Sequence, residues 1–147
     1  MTYHFILKIF YCFAATFFFA LIMNAPKKTL VHSSITASLG YLVYEYFIMR
    51  GHSLTAFFMG TTFVAILGEI YARKLKMPAT IFIFPGVIPI VPGLGLYETI
   101  MAFVQDDISS ALEIGVSTIL NIGCMAVAMA LVSLLAFKFR KTNLLNL

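Results

Sequence analysis

Tryptophan is absent and charge is scarce: Asp, Glu, Lys and Arg make up 11% of the 147 residues, against about 25% in soluble domains. So little charge cannot solvate a globular surface, and the 61% of hydrophobic residues exceeds what a soluble core absorbs. Cysteine is nearly missing too. Cys12 and Cys124 stand alone in separate apolar runs, without the paired spacing of a zinc site or redox motif, so both read as packing residues. The three histidines, His4, His32 and His52, fall at the edges of apolar runs. No Ser, Asp or Cys is spaced with them as a nucleophile system would require, and no ligand cluster marks a metal. Enzymatic function, cofactors and metals are therefore not expected.

What is present is long apolar sequence. Five runs, Tyr3 to Met23, Leu30 to Met49, Leu54 to Ala72, Ala79 to Val104 and Ala111 to Phe137, are each long enough to cross roughly 30 Å of hydrocarbon as a helix, for which about 20 residues suffice. The expected fold is an all-α integral membrane domain over residues 1–147 with about five transmembrane helices. The connections at Asn24 to Thr29, Arg50 to Ser53 and Arg73 to Pro78 are too short to fold separately. The first run has a small-residue end at Asn24-Ala25, but Lys8 is its only early charge and Lys27-Lys28 follows Pro26. It reads as a retained span rather than a cleaved signal.

The net charge of +4 comes from bases clustered between apolar runs, which is topology information and not a nucleic-acid footprint. Five passes put Lys27, Lys28, Arg73, Lys74, Lys76, Lys138, Arg140 and Lys141 on one side, leaving Lys8 and Arg50 opposite. Positive loops stay in the cytoplasm, so the N-terminus is expected outside and the C-terminus inside. The same count favours a crossing over a re-entrant loop for the fourth run, whose 26 residues leave length for an interruption.

That interruption is the most informative stretch. Pro85, Pro89 and Pro92 each remove a backbone donor, and Gly86, Gly93 and Gly95 permit conformations closed to other residues. The expectation is two half-helices joined by an unwound middle. Lipid does not tolerate the freed backbone groups, but a water-lined cavity or a protein interior does. The second half-helix, starting near Gly93 or Leu94, would aim its free amides inward, as discontinuous transporter helices do toward anionic groups. The candidate pathway residues are Pro89, Pro92, Gly93, Gly95, Tyr97 and Asn121; the alternative for the stretch is a kinked helix that only improves packing.

Polar residues elsewhere form stripes at helical spacing: Ser34, Ser38, Tyr41 and Glu45; Thr61, Ala65, Gly68, Glu69 and Ala72; Ser110, Glu113, Ser117, Asn121, Cys124 and Ala128. Small and hydroxyl residues let helices approach and hydrogen-bond, whereas an intramembrane carboxylate is costly and usually functional. Glu69 is the candidate for proton coupling, with an ion pair to Arg73, four residues on, as the alternative. Glu45, Glu98 and Glu113 read as boundary residues. Lys8 is expected to snorkel to the interface, and Asn121 either binds substrate or bridges helices.

The segment Asn24-Ala25-Pro26-Lys27-Lys28-Thr29-Leu30, the basic loop ending at Pro78, and Ile88-Pro89-Ile90-Val91-Pro92-Gly93 followed by Tyr97 resemble the threonine/serine exporter family. The likeness is to the smaller, membrane-only subunit of the split form. It implies export of small amino acids, or of a short dicarboxylate such as succinate, across a bacterial inner membrane, together with a larger membrane subunit as partner. A channel-like pore component and a non-transporting scaffold are the competing readings. A pore would show charged rings, and a scaffold needs no intramembrane carboxylate.

Overall fold

The computed structural model describes residues 2–145, with side chains described over 6–138; the His4, Arg140 and Lys141 side chains lie outside that range. All its regular structure is helical: α1 (Thr2–Ile22), α2 (Lys27–Ile48), α3 (Ser53–Leu75), α4 (Thr80–Val87), α5 (Gly93–Val104) and α6 (Ile108–Leu145). Three helices outrun the apolar runs. Pro26 at the α2 N-cap lets Lys27 and Lys28 form the first turn, since a residue preceding the helix needs no donor. Arg73 and Lys74 complete the last turn of α3, where cations face the negative end of the helix dipole.

The chain reverses direction at four places, each through one left-handed residue: Asn24, Gly51, Lys76 and Asp106, with φ between 52° and 78°. Around each, an amide reaches back five residues, as Ala25 N–H to Ala20 O at 3.0 Å and Asp107 N–H to Ala102 O at 3.0 Å. This closure satisfies carbonyls that the helix end leaves open. Asp107 then caps α6, accepting from Ser110 N–H at 3.1 Å. The Ser110 side chain and amide hold the Asp107 carboxyl below the usual carboxylate range, so this cap weakens as pH falls through the lowered value.

Side by side, the long helices run α1, α2, α3, α6, α5, and short α4 packs on α1, α2 and α3. One end of the bundle carries Lys27, Lys28, Arg73, Lys74 and Lys76, and the other carries Asp106, Asp107 and Glu113. Helix α2, covered from three sides, is buried at Thr29, Ser33, Ser34, Thr36, Ser38 and Glu45. Most of its hydroxyls bond back to their own helix, as Ser33 to Thr29 O and Thr36 to His32 O, while Ser38 donates across to Ile9 O on α1; these bonds offset the cost of burying them. Helix α3 buries Thr61, Ala65, Gly68 and Ala72 as its spacing predicts. On α6 the buried set is Ala111, Thr118, Asn121, Met125, Ala128 and Val132. Asn121 and Ala128 are common to this set and the expected stripe, but Glu113 and Ser117 stay exposed beside it.

The fourth apolar run divides as expected into two half-helices. Helix α4 begins beside Asn24 and Pro26 at the basic end, and Gly86 lies against Val64 and Thr36. Helix α5 then continues toward the start of α6, with Gly95 beside Thr118 and Thr99 beside Gly115. No left-handed residue interrupts Ile88 to Pro92, and the chain progresses from one end of the bundle to the other. Two expectations need correction. Helix α4 runs through Pro85; the carbonyl that the proline leaves unbonded is that of Ile81, four residues back, and it accepts from Ser33 Oγ at 3.4 Å. The glycines of this stretch do not adopt positive φ; Gly86 and Gly95 serve close approach instead. Among the described residues, two helices are long and apolar enough to cross a membrane, Ser53–Leu75 and Ile108–Lys138, with Ile6–Ile22 and Gly93–Val104 as shorter apolar helices.

Helices α2 and α3 touch through Gly40 and Gly60. A Cβ on Gly60 would lie 2.9 Å from Tyr44 Cβ and 3.3 Å from Gly40 O, so backbone must move. We expect Gly60→Ala to lower stability by about 1–3 kcal/mol, the usual cost of overpacking. Gly123→Ala, where a Cβ meets nothing within 4 Å, should leave it unchanged or slightly raised. Thermal unfolding of the detergent-solubilised protein checks this; equal melting temperatures for both variants would show that the α2–α3 approach is not tight.

Candidate functional site

Backbone chemistry builds the site. Pro89 and Pro92 have no N–H, and Val91-Pro92-Gly93 closes an inverse γ-turn: Pro92 has φ −75° and ψ 62°, and Gly93 N–H bonds Val91 O at 2.7 Å. These values match that turn's minimum. The turn diverts Gly93 from the carbonyl it would meet in a continuous helix. Leu96 N–H returns to Pro92 O at 3.2 Å, so the Leu94 and Gly95 amides open α5 without a backbone partner. Pro92, as N-cap, makes no side-chain cap bond. Free amides and the positive dipole end of a 12-residue helix together favour an anionic group.

These amides adjoin a cavity of about 440 Å³ between the α5 start, α6 and the facing ends of α2 and α3. Pro92, Leu94, Gly95, Glu98, Glu113 and Asn121 are among its lining residues. Asn121 is 8% exposed and its amide makes no hydrogen bond within the described residues, although a buried amide normally finds partners. It also lines the adjoining cavity of about 580 Å³ with His52, Ser53, Glu113 and Ser117. The lining thus combines free amides and Glu98 from α5 with Asn121 and Glu113 from α6, and includes no Lys or Arg.

Of the sequence-derived candidates, Pro92, Gly95 and Asn121 meet here, with Gly93 opening the helix beside them. Pro89 lies in the turn, outside the cavity lining. Tyr97 does not join them: it is 60% exposed on the far side of α5, since a residue two after Gly95 faces away from α6. Thr118, absent from the expected stripe, is buried against Gly95; the spacing from Ala111, seven positions, was the available signal.

Lys8 and Glu45 form the one salt bridge among the described residues. The sequence does not announce this pairing: Lys8 stays half exposed while its ammonium meets Glu45, which stands in the last turn of α2 and is buried against α1. The antiparallel packing of α1 on α2 brings them together, with Ser38 donating to Ile9 O at 3.4 Å nearby. The alternative expected for Glu69 is not seen. Arg73 bonds Ala136 O at 3.0 Å, and no Glu69–Arg73 salt bridge forms.

Comparison with known proteins adds to this geometry. A family model described as "Threonine/Serine exporter, ThrE" matches residues 8–135. A curated protein named "Threonine/serine exporter" from Corynebacterium glutamicum is 27% identical over 118 residues, which cover 80% of this chain and 22% of the relative. The chain therefore spans about a fifth of that protein's length. No solved structure matches the chain.

The Lys8–Glu45 pair makes a direct test of the α1–α2 packing. Removing Lys8 leaves a carboxylate buried without its partner, at a cost of ~1–3 kcal/mol, whereas removing both charges costs less. We expect Lys8→Met to lower the melting temperature and Lys8→Met with Glu45→Gln to recover most of the loss. A double variant no more stable than the single one would show that the pair does not hold α1 in place.

Proposed function

The chain belongs to the threonine/serine exporter family, and on that premise we propose that it is the membrane half of a secondary exporter of threonine and serine, working with a larger membrane subunit. The observation that carries this reading is the start of α5, where uncapped amides and the unpartnered Asn121 amide adjoin one cavity. A free amino acid presents a carboxylate suited to the amides and an ammonium suited to Glu98 and Glu113. A short dicarboxylate such as succinate is the second substrate class in this proposal, but two lining carboxylates without a base disfavour it. Neither a charged ring, as in a pore, nor a fully satisfied interior, as in a scaffold, is present among the described residues.

In this reading the bundle sits in a bacterial inner membrane with five crossings: α1, α2, α3, the α4–α5 pair and α6. Helices α4 and α5 hold 8 and 12 residues, together about 30 Å of rise. Collection of Lys27, Lys28, Arg73, Lys74 and Lys76 at one end supports a cytoplasmic C-terminus and an outer N-terminus. The need for a partner follows from α5. It packs on α6 alone, and an edge helix with open amides cannot be left to hydrocarbon. A larger subunit covering that edge would close the cavity, and a relative several times longer than this chain is consistent with additional transport machinery.

Efflux of labelled threonine, serine and succinate from vesicles, with and without the larger subunit, tests the proposal. We expect threonine and serine to move only with both subunits. Asn121→Ala should raise the half-saturating threonine concentration by about tenfold, the scale of a hydrogen bond to a charged group. Transport by this chain alone would overturn the half-transporter reading, and no transport with any partner would leave a scaffold.

A further inference from the structure

A separate cavity of about 560 Å³ opens at the basic end of the bundle, between the last turns of α3 and the facing turns of α6. Its walls include Glu69, Arg73, Lys76, Pro78 and Ser133. Volumes of roughly 300–1,000 Å³ are typical of small-molecule sites. The charges here are arranged unusually. Glu69 and Arg73 stand one helical turn apart, the spacing at which such a pair usually closes, yet they form no salt bridge. Arg73 instead reaches across to α6 and donates to Ala136 O at 3.0 Å. A guanidinium carries five N–H donors, so this bond anchors the side chain and leaves donors available toward the cavity. Glu69, half-buried, has neither an ion pair nor a hydrogen bond among the described residues. Lys76 is held at the rim by its left-handed turn, φ 52°.

The cavity thus presents one unpaired carboxylate and two cations that do not neutralise it. A simple cation would be repelled by Arg73 and Lys76, and a simple anion would leave Glu69 without a counter-charge. We infer that this cavity is a loading site for a small zwitterion, its ammonium on Glu69 and its carboxylate on Arg73 and Lys76. The inference rests on the exporter reading for the identity of the zwitterion, a free α-amino acid, and on the bundle orientation for placing the site at the cytoplasmic face. It assigns Glu69 a substrate contact rather than the proton-coupling role expected of it. A phosphatidylethanolamine headgroup shares the same charge pattern, with phosphate in place of carboxylate.

Because α3 and its C-cap residue Lys76 supply every charged wall residue, the full chain alone should bind. Three probes separate the two halves of the site: threonine, threoninamide, which lacks the carboxylate, and 3-hydroxybutyrate, which lacks the ammonium. Binding is measured in phosphatidylglycerol nanodiscs in an Asn121→Ala background, so that the α5 cavity contributes little. Glu69→Gln should weaken threonine and threoninamide by about tenfold, the scale of a charge-assisted contact, and leave 3-hydroxybutyrate no weaker. Arg73→Gln with Lys76→Gln should weaken threonine and 3-hydroxybutyrate and spare threoninamide. Glu69→Asp and Arg73→Lys, which keep the charges, should retain part of the affinity and report that the fold survives. Equal weakening of all three probes, or none, would overturn the site while leaving the exporter proposal intact. Absence of threonine binding by the parent protein and by the Asn121→Ala protein would overturn the loading site, whereas the exporter proposal is overturned separately, by absence of efflux with both subunits present. Displacement of threonine by added phosphatidylethanolamine would assign the cavity to a lipid headgroup and overturn its role in loading.

Discussion

Backbone groups that cannot pair with their own helix organise this protein. Between Val87 and Gly93, Pro89 and Pro92 contribute no donors, and the γ-turn at Pro92 diverts Gly93 N–H to Val91. A helix carried through would have satisfied these groups internally. Instead α5 starts with open amides, and in the proposed membrane setting those must meet water, substrate or protein. The neighbouring architecture accommodates this need: Gly95 allows α5 to lie close to Thr118, while Asn121 and the ends of α2 and α3 leave space beside the break. The position of α5 at the edge of the bundle then makes a covering subunit a physical requirement of the proposal.

Elsewhere the bundle is held by close approach. Gly40, Gly60, Gly68 and Gly86 each face a neighbour too near to admit a Cβ without movement. Between helices already surrounded by apolar material, dispersion contacts and local hydrogen bonds supply the attraction that hydrophobic burial supplies in water. This explains why the central helix, α2, is among the least apolar. Its serines and threonines are small enough for contact on three sides and mostly bond back to their own carbonyls. Lys8 and Glu45 add one charged tie between α1 and α2, and the remaining charges of the described residues gather at the two ends or line the cavities.

Much of this was legible in the residues. The run lengths locate the helices to within a few positions except at the end of α6, which continues eight residues past Phe137 into the basic tail, and three prolines with three glycines mark the break and the start of α5 at Gly93. The stripe on α3 was right because small residues recur there at strict helical spacing. On α6 the small and polar residues spread over a wider arc, so Asn121 stands out while Thr118 is marked only by its spacing of seven from Ala111, and the buried face is turned relative to the expected one. Lys8 and Glu45 lie 37 positions apart on different helices, and no local pattern announces such a pairing. Tyr97 was assigned inward for its chemistry, whereas its facing depends on which side of α5 meets α6. The Glu69–Arg73 spacing suggested an ion pair, but the Ala136 carbonyl on α6 competes for the guanidinium, a partner visible only once α3 and α6 are packed.

The central claim is that the break in the fourth run opens onto an aqueous cavity rather than serving as a buried packing element. Single cysteines at Leu94 and Asn121, in a Cys12→Ala, Cys124→Ala background, test it by reaction with a small hydrophilic thiol reagent in intact membranes. Leu94 lies at the cavity wall, while Ile90, two residues before the N-cap, is 1% exposed within the core and provides the internal control. Rapid labelling at positions 94 and 121, slowed by threonine, with position 90 unreactive, is the expected result. Unreactive cysteines at 94 and 121 in a protein that still transports would contradict the account.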